Sequence, residues 1–124
     1  MANYLLSNLN IDIISEEIGE FLDKCKVDSK DAMRIKLVAE ETLLNYQEQF
    51  GEEQVVVFEC GKRFGRPRVD LRFPSARFNP YEKVEVTEED SSVLQSILEN
   101  MGIAPTYQYK AGNNIVIFTP KRKP

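Results

Sequence analysis

The chain contains no histidine, only two cysteines and no long apolar run. Without histidine an ordinary zinc site cannot be assembled, a Ser-His or Cys-His nucleophile pair is excluded, and no phosphohistidine relay can run within the chain. Cys25 and Cys60 stand far apart and neither belongs to a CxxC pair, which suits a reduced compartment better than a disulfide scaffold. No apolar stretch approaches the roughly 20 residues of a membrane span. The opening MANYLLSNLNIDIISEEI lacks the basic start of a secretory signal and soon acquires acids. A cytoplasmic chain without direct membrane insertion is therefore expected.

Excess positive charge is also lacking. Charged residues make up 29% of the chain but the net charge is −4, so nothing draws it globally toward nucleic acid, and no nucleic-acid partner is expected. The basic cluster that stands out is the tail, Lys121, Arg122 and Lys123, which reads as a solvated end. What is present is enough for one core: 124 residues, 42% of them hydrophobic, fit a single domain over 1–124.

Tyr4, Leu5 and Leu6 suggest an edge strand. From about Asn10 or Asp12 to Lys26, Ile14, Ile18, Phe21, Leu22 and Cys25 recur at helical spacing. VDSKD then offers Asp28 or Ser29 as an N-cap, and a second helix runs to about Phe50 before Gly51 stops it. QVVVFEC (54–60) and RVDLRF (68–73) read as strands joined by a hairpin loop, GKRFGRP. In the second of these, Val69, Leu71 and Phe73 point one way and Asp70 and Arg72 the other. A long acidic connection follows, then a third helix, SSVLQSILENMG, capped by Ser91 or Ser92 and closed by Gly102. The chain finishes as a hairpin around AGNN, with Ile115 to Phe118 as its last strand. The fold class expected is α+β: a two-layer α/β sandwich in which three helices cover one face of a mostly antiparallel, mixed sheet of four or five strands.

The second helix carries its polar residues in two narrow strips. At about 100° per residue, Ile35, Val38, Ala39, Tyr46 and Phe50 form one apolar arc, and Met33, Leu37 and Leu44 another. Lys36, Glu40 and Gln47 make one strip between them; Arg34, Glu41, Asn45 and Glu48 make the other. Two readings stay open. Both strips could be solvated, with ordinary contacts along the helix surface. Alternatively Glu41 and Asn45, one turn apart, face a cleft beside the 74–90 connection, where an amide oxygen and a carboxylate can hold a hard cation and orient a water.

RIKLVAEETLLNY resembles the N-box helix of the histidine-kinase-like (GHKL) ATPase superfamily, with Glu41 and Asn45 at the matching positions. RVDLRFPSARFNP resembles the strand and loop that follow in the anti-sigma-factor serine kinase branch, keeping the ending Phe78, Asn79, Pro80. VLQSILENMGIAPTYQYKAGNNIVIFTPK is similar to the closing helix and hairpin of that branch. The resemblance covers nearly the whole chain. It implies a Bergerat-like sandwich binding Mg-ATP, with Asn45 as the Mg²⁺ ligand, Glu41 as the base acting on the attacking water or hydroxyl, and Phe73, Ser75 and Phe78 at the nucleotide-binding loop.

Three departures bear on activity. Phe73 stands where the family places the aspartate that receives the adenine amino group, and a ring cannot accept that hydrogen bond. Ser75 replaces a glycine. The lid region VEVTEEDSSVLQ has no glycine and brings Glu88, Glu89 and Asp90 toward the triphosphate. The expected function is a degenerate ATPase domain acting as a regulatory or protein-interaction module, with a protein as partner. The alternatives are a functional Mg-ATP-binding ATPase or anti-sigma-type serine kinase, and a plain structural α/β module.

Overall fold

The computed structural model describes residues 2–81 and 105–120. The chain order is β1 (Ala2–Leu5), α1 (Asn8–Lys24), α2 (Ser29–Phe50), β2 (Val55–Arg63), β3 (Arg66–Pro74), β4 (Thr106–Lys110) and β5 (Asn113–Phe118). The strands form one open sheet in the order β1-β2-β3-β5-β4. Every pairing is antiparallel, so the expected mixed character is not found among the described residues. Among the described residues the architecture is α+β, a five-stranded sheet with two helices. The expected third helix and the acidic lid region lie outside the described residues.

Helix α1 starts earlier than its apolar period suggests, because Ser7 is the N-cap and its hydroxyl accepts from the Asn10 amide. Ile11, Ile14, Ile18 and Leu22 form its buried stripe. The helix ends at Lys24, and Lys26 takes a positive φ of 58° in the turn beyond it. Asp28 caps α2 through the Lys30 amide, and Gly51, with φ 92°, ends it.

The β2–β3 connection is much shorter than the seven-residue loop read from GKRFGRP. Pairing continues to Arg63↔Arg66, leaving Phe64 and Gly65 as a two-residue turn. Both have positive φ, 53° and 78°, as the tight hairpin turns require. Pro67 is tolerated because β5 first meets β3 at Val69, so no ladder bond is missed on that side. The second hairpin turns the same way at Ala111 and Gly112.

Alternate residues of the central strands, Val56 and Phe58, Val69, Leu71 and Phe73, Val116 and Phe118, share one core with Ile14, Ile18, Leu22, Ile35, Val38, Leu43 and Tyr46 from the helices. The opposite sheet face carries Val55, Val57, Glu59, Asp70, Arg72, Ile115 and Ile117, all half-buried or exposed. Asp70 and Phe73 thus take opposite faces, as the alternation of β3 requires.

The polar strips of α2 have different fates. The strip of Lys36, Glu40 and Gln47 faces α1 and is not simply solvated. Ser15 donates to the Glu40 carboxylate, Gln47 donates to the Leu6 carbonyl and to Asn8, and the Lys36 stem lies over Gly19. Small residues at Ser15 and Gly19 give those longer side chains room. The second apolar arc is not buried among the described residues: Met33 is 70% exposed and Leu44 39%. Among the described residues one broad arc of the helix is buried, and Leu37 of the second is half-buried.

Candidate functional site

The site suggested by the sequence lies where α2 passes the end of β3 and the loop that follows. Its centre is aromatic. Tyr46 and Phe73, both fully buried, stack with ring centroids 3.6 Å apart and planes 5° from parallel. Phe78 meets Tyr46 edge-on at 5.1 Å and Phe50 at 5.9 Å. The edge-on pairs add about 0.5–1.5 kcal/mol each beyond the area they bury, whereas the nearly face-to-face Tyr46–Phe73 pair contributes through its burial. The β-strand alternation aims Phe73 inward and the helical period brings Tyr46 and Phe50 to meet it.

Polar groups then fasten the loop over these rings. The Tyr46 hydroxyl donates to the Phe78 carbonyl, and Thr42, one turn earlier, bonds the Tyr81 hydroxyl while also donating to the Val38 carbonyl. Burial pushes the phenols of Tyr46 and Tyr81 well above the usual tyrosine range, so both are neutral donors at any ordinary pH. Asn114 of β5 is the hub on the other side, and it is completely buried. Its amide nitrogen reaches the Ser75 hydroxyl at 2.9 Å and the carbonyls of Ala76 at 3.0 Å and Phe73 at 3.3 Å. Its oxygen accepts from the Phe78 amide at 2.8 Å and from the Tyr107 hydroxyl. No buried side-chain polar atom among the described residues lacks a partner.

The residues named from sequence occupy this region in two groups. Phe73, Ser75 and Phe78 belong to the clasp itself. Glu41 and Asn45 are half-buried on the flank of α2 away from α1, next to the Thr42–Tyr46 row. They are therefore not on an open, fully solvated surface. The Asn45 amide nitrogen donates to the carbonyl of Glu41 on its own helix at 2.7 Å, which ties the side chain to the helix through its nitrogen. Among the described residues no group of three or more His, Cys, Asp or Glu side chains could hold a metal ion.

The fit to Mg-ATP is split. An amide oxygen and a carboxylate one turn apart suit a cation that phosphates and waters also coordinate. The base end does not suit adenine: Phe73 offers no acceptor, and with Tyr46 stacked on it no second ring can enter between them. Asn114, Thr42, Tyr46, Tyr81 and Tyr107 were not singled out from the sequence as site residues. A buried threonine four residues before a tyrosine and an asparagine leading into an apolar strand were the available signals.

No protein-family model matches the chain. Peptidase T of Brevibacillus brevis (strain 47) is 35% identical over 63 residues, a segment that is 51% of this chain and 15% of that protein. The chain thus spans a small fraction of that relative's length, and the likeness carries no activity across.

Proposed function

We propose that the chain is a degenerate domain of the histidine-kinase-like ATPase type, nearest to the anti-sigma-factor serine kinase branch, that serves as a regulatory or protein-interaction module. The observation that carries this reading is the Tyr46–Phe73 stack. The order of elements and the α2 positions of Glu41 and Asn45 support this reading, whereas the all-antiparallel pairing of the described strands departs from the expected mixed sheet. The adenine end of the site, by contrast, is filled by side chains of the chain itself. A loop bonded by Asn114, Tyr46 and Thr42 suits a rigid surface for a protein partner better than a pocket that opens for a nucleotide.

A second reading, Mg-ATP binding by an ATPase or serine kinase with Asn45 on the metal and Glu41 as base, is favoured by one observation: the bond to the helix uses the Asn45 nitrogen and not its oxygen. Losing one specific buried partner costs on the order of 1–3 kcal/mol, so replacing the adenine acceptor by Phe73 alone weakens binding by about 5- to 150-fold. Calorimetry with Mg-ATP decides between the readings. The degenerate domain gives no saturable heat; a low-micromolar dissociation constant abolished by Asn45→Ala would establish the second reading. The proposed location is cytoplasmic, and no described helix is long and apolar enough to cross a membrane.

A further inference from the structure

Between Cys60 and Val69 the sequence holds Lys62, Arg63, Arg66 and Arg68 and no acid, a local excess of positive charge in a chain whose net charge is −4. The register puts this excess in one place. Arg63 pairs with Arg66, Gly61 with Arg68 and Glu59 with Asp70, so these six residues share the sheet face away from the helices, and Arg63 and Arg68 line the depression at Gly61.

Gly61 is not required by the fold. Its φ is not positive, and an added Cβ would meet nothing within 4 Å. A glycine inside a strand ordinarily weakens it unless another group approaches the backbone closely. Here it floors a depression of about 280 Å³ lined by Glu59, Gly61, Lys62, Arg63, Arg68 and Asp70.

Two of the arginines are held in place. Asp70 grips Arg68 by Nε at 2.7 Å and Nη2 at 2.8 Å, and Arg66 donates to the Pro120 carbonyl at 3.0 Å. The second contact is to a neutral group and leaves the Arg66 charge uncompensated. Neither Lys62, Arg63 nor Arg66 has an acidic partner among the described residues. At the tip Phe64 is 93% exposed, in a left-handed conformation that bulky residues avoid, with the Arg63 guanidinium 5.6 Å from its ring centroid. An aromatic ring kept at such a position contributes nothing to the core.

We propose that the tip of the β2–β3 hairpin is a docking site for a short acidic segment of a partner protein. Carboxylates meet Arg63 above Gly61 and Arg66 at the edge of the depression, with the Asp70-held Arg68 offering only its remaining N–H groups, and an apolar side chain of the partner lies against Phe64. Guanidinium forks bind carboxylates in bidentate fashion, and prior orientation of Arg66 and Arg68 lowers the ordering cost of binding. The patch is one strand pair wide, and Glu59 and Asp70 close it on the same face. A long polyanion such as a nucleic acid, or an anionic membrane, would run from the arginines onto those acids and meet a negative chain overall. The inference rests on the protein-interaction reading of the domain but uses a surface separate from the Tyr46–Phe73 clasp.

The test is fluorescence anisotropy of the intact chain with a labelled synthetic peptide rich in Glu and Asp around one central Phe. Saturable, salt-weakened binding is expected. The double variant Arg63→Ser/Arg66→Ser should weaken it by about tenfold, Phe64→Ser by about fivefold, and Gly61→Gln, which fills the floor without changing charge, also measurably. Asn45→Ala should leave it unchanged. Melting temperatures of the variants verify folding. Absence of saturation, equal binding of a peptide with Lys in place of its acids, or tighter binding to an oligothymidylate or to phosphatidylserine vesicles would overturn the site. So would an affinity unmoved by the folded double variant. Those failures leave the calorimetric result with Mg-ATP standing, whereas Mg-ATP binding with peptide docking intact would overturn only the degenerate reading.

Discussion

The clasp around Tyr46 and Phe73 and the tip of the β2–β3 hairpin are opposites. In the clasp, rings stack without a gap and Asn114 uses both ends of its amide. At the hairpin, Phe64 is bare to solvent in a strained conformation and Lys62, Arg63 and Arg66 have no acidic partner among the described residues. Both regions carry aromatic and polar residues, so composition does not distinguish them. Satisfaction does: a region with every polar atom paired is built to hold its shape, and one with charge and apolar area left over is built to meet something else. Substitutions should therefore cost stability in the clasp and binding, not stability, at the hairpin.

The largest effect is expected at Phe73. Phe73→Ala removes a fully buried ring from its stack with Tyr46 and should cost about 3–5 kcal/mol, measured as a fall in the urea midpoint. A loss under about 1 kcal/mol would mean that the ring is not an essential part of the core, and the contrast with the hairpin would fail.

Asn114→Ala comes next. It strands the Phe78 amide, removes one partner of the Tyr107 hydroxyl and frees the loop carbonyls, for an expected loss of about 2–3 kcal/mol. Hydrogen exchange at the Phe78 amide should accelerate well beyond the change in global stability. Equal acceleration everywhere would show that Asn114 supports the sheet generally and does not pin the loop.

These two residues also mark what the sequence could and could not disclose. Strand alternation in VDLRF placed Phe73 inward, and the apolar period placed Tyr46 on the buried arc of α2, because both depend only on local repeat. An edge strand near Tyr4, the stop at Gly51 and an N-cap at either Asp28 or Ser29 were legible for the same reason, the structure choosing Asp28. Asn114 was not, since its partners lie 36 to 41 residues away at Phe78, Ser75 and Phe73 and no local pattern announces them. The strip of Lys36, Glu40 and Gln47 was ambiguous because the helical period gives the angle between strips but not which one meets α1. The hairpin's positive charge was present in GKRFGRPR, yet it was read as loop. Only the pairing Arg63↔Arg66 gathers its arginines onto one face.

Cys60 sharpens the comparison by pH. Burial, followed by the charges of Glu17 and Asp70, pushes its thiol from 9.0 up to about 12, although a cavity of about 460 Å³ bordered by Glu17, Phe21 and Phe58 reaches it. The native state keeps a proton that the unfolded chain releases near pH 9. The stability tied to that proton is complete below pH 9 and lost as pH rises toward about 12. Unfolding midpoints should fall across that interval, and less steeply in Cys60→Ala. At pH below both values a three-unit rise cuts the thiolate about 1000-fold, while the more basic thiolate recovers roughly 20- to 30-fold in nucleophilicity. Labelling of Cys60 by a disulfide reagent should then be roughly 30-fold slower in the native chain than in urea. Equal rates would place the thiol in water.

The smallest expected effect has the opposite sign. Phe64 and Gly65 both adopt positive φ in the turn between Arg63 and Arg66, a geometry that favours Asn-Gly and penalises a bulky side chain. Its ring is 93% exposed, so removing it forfeits little buried area, and the contact with the Arg63 guanidinium is worth only about 0.5–1 kcal/mol at an exposed site. Against that, relief of left-handed strain returns about 1 kcal/mol. Phe64→Asn should accordingly be neutral to stabilising by up to about 0.5 kcal/mol in urea unfolding, while weakening the acidic peptide as Phe64→Ser does. A destabilisation above about 1 kcal/mol would mean that Phe64 is held by the fold and not kept for a partner, and the distinction between the two regions would collapse at its most exposed residue.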